Sequence, residues 1–333
     1  MPQLRVADEQ AILEAARRLS AGEVVAFPTE TVYGLGADAA CGPAVEAIYR
    51  IKGRPADHPL IVHVADAVQA AWWADLDEDA ARLAKAFWPG PLTLILRRRP
   101  DAPAFACGGE ATIGLRCPAH PVALSLLRAF AALGGHGVAA PSANRFGRVS
   151  PTRAAHVAGD LSAHADGGLT LILDGGPCAV GLESTIVDLS RGAPVLMRPG
   201  GLPAERIEAV LGRALQARDA AAPRASGTLA AHYAPHTPVE LVDAPALEAR
   251  LARLMAAGQA VAVWSAQRPQ TPGLVHWELA RSTPEAFGQD LYDGLRRLDA
   301  LGVDRILIEH VPRGAPWDAV RDRLARAAAS FTP

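Results

Sequence analysis

The sequence predicts an α/β protein of two domains, the larger built on a mixed sheet. Three observations predict it. Over residues 1–211 short apolar runs alternate with amphipathic helical patterns. Over residues 212–238 the chain turns to Ala, Arg, Pro, Ser and Gly, the composition of a linker. A second, shorter alternation of strand and helix patterns then fills residues 239–333. With 333 residues, the chain is long enough to bury two separate cores.

In the first domain, strands are expected at Val24–Phe27, Leu60–Val64, Leu92–Arg97, Thr112–Arg116, Gly137–Ala140, Leu169–Leu173, Thr185–Leu189 and Val195–Arg198. Helices are expected at Glu9–Ser20, Ala44–Ile51, Asp77–Phe87 and Val122–Leu133. The later strands follow one another too closely for every crossover to be helical, so the sheet must be mixed. In the second domain the strand patterns are Val239–Val242, Ala260–Trp264, Val275–Leu279 and Arg305–Glu309. The helical ones are Ala246–Ala256, Pro284–Leu301 and Trp317–Ala329. This describes a small three-layer α/β unit, and it carries no Gly-rich nucleotide fingerprint.

Composition excludes several function classes. Half the residues are hydrophobic, a fifth are charged, and the formal net charge is -2. There is no basic tail and no Lys/Arg cluster beyond Arg97-Arg98-Arg99, which argues against broad nucleic-acid binding driven by counterion release. The cysteines Cys41, Cys107, Cys117 and Cys178 lack Cys-x-x-Cys or zinc-finger spacing, so reduced thiols and no structural metal are expected. Met1–Gln10 has no apolar signal core and no apolar run reaches membrane-spanning length, which predicts a cytoplasmic protein.

The candidate site residues cluster at strand ends. Pro28 should end the strand Val24–Phe27 and leave Thr29, Glu30 and Thr31 just past its carboxyl end, where open α/β sheets bind ligands. Gly34 and Gly36 would then let the backbone approach a ligand, or simply form a loop. Lysine occurs only at Lys52 and Lys85, in a chain otherwise basic through arginine. An ammonium on a flexible stem follows a moving phosphate better than a planar guanidinium does, which marks Lys52 in Lys52-Gly53-Arg54-Pro55. Strand alternation puts Ile61 and His63 on one face, although a lone histidine on an apolar strand is ordinarily a satisfied structural residue. The same rule puts Thr112, Gly114 and Arg116 together, with room for a carboxylate between hydroxyl and guanidinium. Ser142 and Asn144 share a side if their backbone stays extended; the alternative is a Ser/Asn turn. Gly181-Leu182-Glu183-Ser184-Thr185 and Met197-Arg198-Pro199-Gly200 add polar groups at further strand ends. No Ser-His-Asp order, zinc motif or Walker loop competes with this set.

Taken in order, PTETVYGLG, Lys-x-Arg, PGPLTLIL, Ser-x-Asn with the following Gly and Ser, GLESTIVD and MRPG resemble the YrdC-like family, in its long two-domain form. The resemblance is dense from Ala21 to Gly201, takes in His232-Tyr233-Ala234-Pro235, and is weaker beyond. It implies an open twisted mixed sheet of YrdC-like fold followed by a smaller Rossmann-like α/β domain. It also implies a nucleotidyltransferase that makes L-threonylcarbamoyladenylate and pyrophosphate from L-threonine, bicarbonate and ATP. That product would pass to the machinery that transfers threonylcarbamoyl to tRNA, with direct tRNA binding weak or absent.

By resemblance, Lys52 and Arg54 are the catalytic pair on the ATP phosphates, with Ser142 and Asn144 on the nucleotide. Further ATP contacts are Thr112, Ser150, Arg198, His58 and, in the linker, Tyr233. Thr31, His63, Arg116, the Ala140 backbone and Ser184 fall where threonine is expected. Mg2+ would arrive on the ATP phosphates, without dedicated protein ligands. Residues 226–238 would form a lid with Tyr233 over the nucleotide; the alternative is that Tyr233 anchors on the last domain. The long form commonly has a Pro-Gly before its His-Tyr, where this chain reads Ser226-Gly227-Thr228-Leu229-Ala230-Ala231. Two other readings stay open: a non-catalytic RNA-binding module, and the carbamoyl transfer of hydrogenase maturation. The second lacks its acylphosphatase and zinc-finger modules here.

Overall fold

The computed structural model describes residues 1–162 and 168–331; the last two residues of the expected second domain lie outside it. The chain divides into two compact units, Met1–Phe146 with Ser150–Thr228, and Gly147–Val149 with Leu229–Pro333. The expected linker, 212–238, is therefore shared between the units, its first part lying in the first.

The first unit holds an 11-stranded mixed sheet. Its strands are β1 (Gln3–Val6), β2 (Val24–Phe27), β3 (Gly34–Asp38), β4 (Ile61–His63), β5 (Leu92–Arg97), β6 (Thr112–Arg116), β7 (Val138–Ala139), β8 (Leu169–Asp174), β9 (Thr185–Asp188), β10 (Val195–Arg198) and β11 (Gln216–Ala217). They run in the order β1-β8-β2-β3-β7-β4-β6-β5-β9-β10-β11. Its helices are α1 (Glu9–Ser20), α2 (Gly42–Lys52), α3 (Ala67–Trp73), α4 (Glu78–Phe87), α5 (Pro121–Ala132), α6 (Ala154–Leu161) and α7 (Ala204–Leu211). Local sequence sets their ends. Asp8, Asp66 and Asp77 accept from the amides of Ala11, Gln69 and Ala80 and so cap α1, α3 and α4, and left-handed Gly53 stops α2.

One face of the sheet is covered by α2, α3, α4, α6 and α7 in a core that includes Leu35, Val62, Leu94, Leu115 and Val187. On the other face, α1 and α5 pack over β2, β7 and β8 through Val25, Phe27, Val138, Ala140 and Leu171. That cover stops at β7. Over β5, β9 and β10, Ile95, Ile186, Val195 and Met197 pack with Ala222 and Ala225, from the segment after β11. Among the described residues a stretch of irregular chain, not a helix, lies on this half of the face.

The structure corrects one strand-end reading. Gly34 and Gly36 lie in β3, a buried strand inside the sheet, and not in a loop. A Cβ on Gly36 would sit 2.6 Å from Phe27 and 2.8 Å from Val138, so glycine is demanded here by packing within the sheet.

The second unit is a four-stranded, all-parallel sheet in the order β12-β15-β13-β14, formed by β12 (Val239–Val242), β13 (Val261–Ser265), β14 (His276–Leu279) and β15 (Arg305–Glu309). Helix α8 (Ala244–Ala256) covers one face through Leu247, Leu251 and Leu254. Helices α9 (Pro284–Asp299) and α10 (Asp318–Ala329) complete the unit, with Trp264 stacked on Phe287 of α9. Residues 147–149 belong here because Ala234 donates to the Gly147 carbonyl and Arg296 to that of Val149.

Candidate active site

Register alone gathers five of the predicted residues, His63, Thr112, Arg116, Ser184 and Arg198, on the half-face without a helix. His63 pairs with Arg116 and Ile61 with Gly114; Arg97 pairs with Thr112; Thr93 pairs with Ile186; Arg198 pairs with Ile186. Paired residues share a face and next-but-one residues repeat it, so His63, Thr112, Gly114, Arg116, Thr93, Ser184 and Arg198 fall on one side. Ala140 joins them through its amide, which donates to the Ile61 carbonyl at 2.9 Å. With its N–H committed, Ala140 offers a ligand its carbonyl.

Arg116 is the best-organised of these groups. It is buried; its Nη2 donates to Glu30 Oε1 at 2.6 Å, its Nη1 to Thr31 Oγ1 at 2.9 Å and its Nε to the Gly90 carbonyl at 3.4 Å. The other Glu30 oxygen accepts from the Ala119 amide at 3.0 Å. Of five guanidinium N–H groups, this leaves one on each terminal nitrogen, the fork that grips a carboxylate. Thr31 Oγ1 lies 2.8 Å from Thr29 Oγ1, which in turn donates to the Val32 carbonyl. Glu30 escaped the sequence assignment, since its pairing with a residue 86 positions away depends on register.

Arg198 belongs to a second chain of contacts. It donates to the carbonyl and hydroxyl of Ser184, and through Nη1 to the Ser226 carbonyl at 2.8 Å. The Ser184 hydroxyl is 2.7 Å from Thr93 Oγ1. Gly200 holds this region tight: a Cβ there would come within 2.3 Å of the Glu183 carbonyl oxygen. Arg54 donates to Ser226 Oγ at 3.2 Å and to the Pro59 carbonyl, beneath Phe146, whose ring also meets His58 edge-on. Ser226 is thus a shared partner of Arg54 and Arg198, tied down by Arg224, which bridges Asp57 and Glu110. A cavity of about 20 Å³ remains beneath this segment, lined by Thr112, Gly114, Thr93, Ile61 and Ser226. Ser150 donates to Glu183 Oε1 at 2.7 Å, both buried.

The structure decides between the two readings of the Ser-x-Asn pair and gives Lys52 its partners. Residues 142–144 take the Ser/Asn turn, since the Asn144 amide donates to the Ser142 carbonyl at 3.0 Å. Lys52 ends α2, is buried, and donates to the Ser142 and Asn144 carbonyls at 2.6 Å each. Burial first, then the Arg54 guanidinium, pushes its ammonium well below the usual lysine range. An arriving polyanion would reverse that shift. Tyr233 lies within the second unit, buried at a positive φ of 63°, with His232 edge-on, Tyr292 beside it and the Arg323 guanidinium over its ring. Within that unit it has the surroundings of an anchor.

His63 is buried edge-on to Phe27, and burial followed by the Arg116 charge pushes its imidazole down to about 3. It is neutral at neutral pH, able to donate to or accept from a hydroxyl. The unfolded chain takes up this proton near 6.5, the folded chain near 3. Stability from this residue is therefore complete above pH 6.5 and is lost as pH falls towards 3, by about 1.4 kcal/mol per pH unit. Urea unfolding of His63→Gln should show a shallower acid loss than wild type by one proton; identical slopes would refute the assignment.

The four cysteines are free, and burial pushes the Cys107 and Cys117 thiols to about 11 and Cys178 to about 12, so none of these three is poised as a nucleophile. Among the described residues, no three His, Cys, Asp or Glu side chains assemble as a metal cluster. The site offers buried cations and hydroxyls, suited to binding a carboxylate and a polyphosphate and to screening their charges.

Comparison with known proteins agrees with this chemistry. Residues 17–200 match the Sua5/YciO/YrdC family model, described as telomere recombination, and residues 202–329 match the model for the threonylcarbamoyl-AMP synthase C-terminal domain. The chain is 40% identical over 332 residues to the threonylcarbamoyl-AMP synthase of Pyrococcus abyssi, covering 96% of this chain and 94% of that protein. It is 41% identical to that of Bacillus subtilis, covering 95% and 92%. The crystal structure of P. abyssi Sua5 complexed with L-threonine superposes with a TM-score of 0.88 at 38% identity, over 99% of this chain and 97% of the other. The chain belongs to the Sua5/YciO/YrdC family, in the form that carries the threonylcarbamoyl-AMP synthase C-terminal domain.

Proposed function

We propose that this chain makes threonylcarbamoyl-adenylate and pyrophosphate from L-threonine, bicarbonate and ATP, for the threonylcarbamoyladenosine modification of tRNA. The observation that carries the reading is the half-face of the sheet where Arg116, Arg198 and Arg54 are buried among hydroxyls. Relatives of that name align over nearly the whole chain.

The amine of threonine forms a bond to the carbon of carbon dioxide and loses a proton, or to that of bicarbonate with a C–O bond broken and water lost, giving a carbamate. A carbamate oxygen then attacks the α-phosphorus of ATP and the bond to pyrophosphate breaks. The obstacle is repulsion between an anion and a polyanion. Arg116 holds the threonine carboxylate by its two remaining N–H groups, oriented by Glu30. Lys52, Arg54 and Arg198 neutralise charge on the phosphates and on the leaving pyrophosphate, with Ser142, Asn144, Thr112, Ser150 and His58 around the nucleotide. Magnesium enters as MgATP, carried by the phosphates. The product goes to the enzymes that load threonylcarbamoyl onto tRNA, and the reaction on this reading is cytoplasmic. Among the described residues, no helix is long and apolar enough to cross a membrane.

Pyrophosphate release measured without tRNA tests the reading, and its dependence on the amino acid tests how threonine is chosen. Thr31, His63 and Ser184 are the partners for the threonine hydroxyl. Serine keeps that hydroxyl and loses a methyl worth about 1–3 kcal/mol, whereas valine leaves a buried polar group unpaired. Threonine should therefore be followed by serine, with valine nearly inert. Release that ignores the amino acid, or none at all with RNA still bound, would favour the RNA-binding module; valine above serine would mean the pocket reads shape alone.

A further inference from the structure

The second unit has its own cavity, of about 520 Å³, which the reaction above does not use. Its position follows from topology. The chain leaves β13 towards β14 at one edge, and after β15 turns the other way, to α10. Connections that part in opposite directions open a crevice at the carboxyl ends of the two strands between them, where parallel sheets bind ligands. The cavity is lined by residues that end or follow β13, β14 and β15, among them Ala266, Arg281 and Glu309.

The lining restricts the ligand. Arg281 and Ser282 lie in the loop that enters α9, a place and a pair of side chains suited to an anion. The Arg281 side chain is 60% exposed and held loosely, 3.6 Å from Asp290. Glu309 spends one carboxylate oxygen on the Ala266 amide at 2.8 Å, which leaves the other to accept from hydroxyls. Leu279, Phe287 and Trp317 supply apolar wall. The turn after β12, Asp243-Ala244-Pro245, contains no glycine that would let backbone close on a pyrophosphate, which disfavours a dinucleotide. An amino acid would leave most of 520 Å³ empty.

We propose that this crevice binds a nucleoside monophosphate, with its phosphate at Arg281 and Ser282, its ribose hydroxyls at Glu309 and its base against the apolar wall. The proposal does not depend on the reaction assigned to the first unit.

Hydrogen–deuterium exchange of the full chain titrated with AMP tests it, because peptides from the two units report separately. AMP should slow exchange in peptides covering 279–287 and 309–317. Arg281→Glu should raise the AMP concentration for half-protection there at least ~10-fold, and leave first-unit peptides unchanged. Leu279→Glu, at a side chain that is 55% exposed, is the second variant and should act in the same direction. No slowing at AMP concentrations up to about 10 mM would overturn the proposal. So would equal protection by inorganic phosphate alone, or protection that both variants leave intact.

Discussion

Exchanging Lys52 for methionine is expected to lower kcat/KM for ATP at least ~100-fold and to lower the melting temperature as well. The two effects have one origin. The ammonium holds the Ser142 and Asn144 carbonyls from inside the protein, and methionine fills the space without a donor. Each orphaned buried carbonyl costs about 1–3 kcal/mol, which corresponds to a fall of roughly 5 °C or more. Lys52→Arg should lower turnover at least ~10-fold, since a fork cannot replace a point charge between two fixed carbonyls. It should also melt earlier, because the slot is buried and guanidinium is larger. The scarcity of lysine alone would suggest an arginine variant as stable as wild type. Full activity in a folded Lys52→Met variant would show that the residue acts on neither loop nor phosphate.

Replacing Arg116 by alanine should raise the KM for threonine about 100-fold while changing that for ATP less than about threefold, since it removes a charge-assisted, two-pronged grip on a carboxylate. The same truncation leaves Glu30 as a buried carboxylate without its cation, so the melting temperature should drop too. Arg116→Lys separates the two effects: charge balance returns, the fork does not, and the threonine defect should persist in a protein of nearly restored stability. Glu30→Gln should give a smaller threonine defect of about 10-fold, because the guanidinium keeps its charge and loses one restraint on its orientation. Parallel changes in both KM values would move Arg116 to the nucleotide.

The sequence showed the strands with regular apolar alternation, and the same alternation placed His63, Thr112 and Arg116 on the face where they are found. Other elements left no such mark. Edge strand β1 is mostly exposed and therefore unpatterned. Strand β3 reads as a glycine-broken loop, because its close packing against Phe27 and Val138 exists only once three strands are aligned. The short helices α6 and α7, of eight residues each, offer too few turns for a period to stand out. At the site, residue types were legible and their partners were not. Pairings such as Arg116 with Glu30, Arg198 with Ser226 and Lys52 with the 142–144 turn span 28 to 92 positions, and only the folded register brings them together.

On the proposed function, the buried arginines and Lys52 serve one adenylate-forming reaction that incorporates threonine and bicarbonate. Mass spectrometry of the nucleotide products after incubation with MgATP, threonine and 13C-labelled bicarbonate decides whether they do. The expected product is an adenylate whose mass contains threonine and the labelled carbon, formed with pyrophosphate in equal amount and missing from Arg116→Ala at low threonine. AMP or ADP as the sole product, or an adenylate without the label, would contradict it.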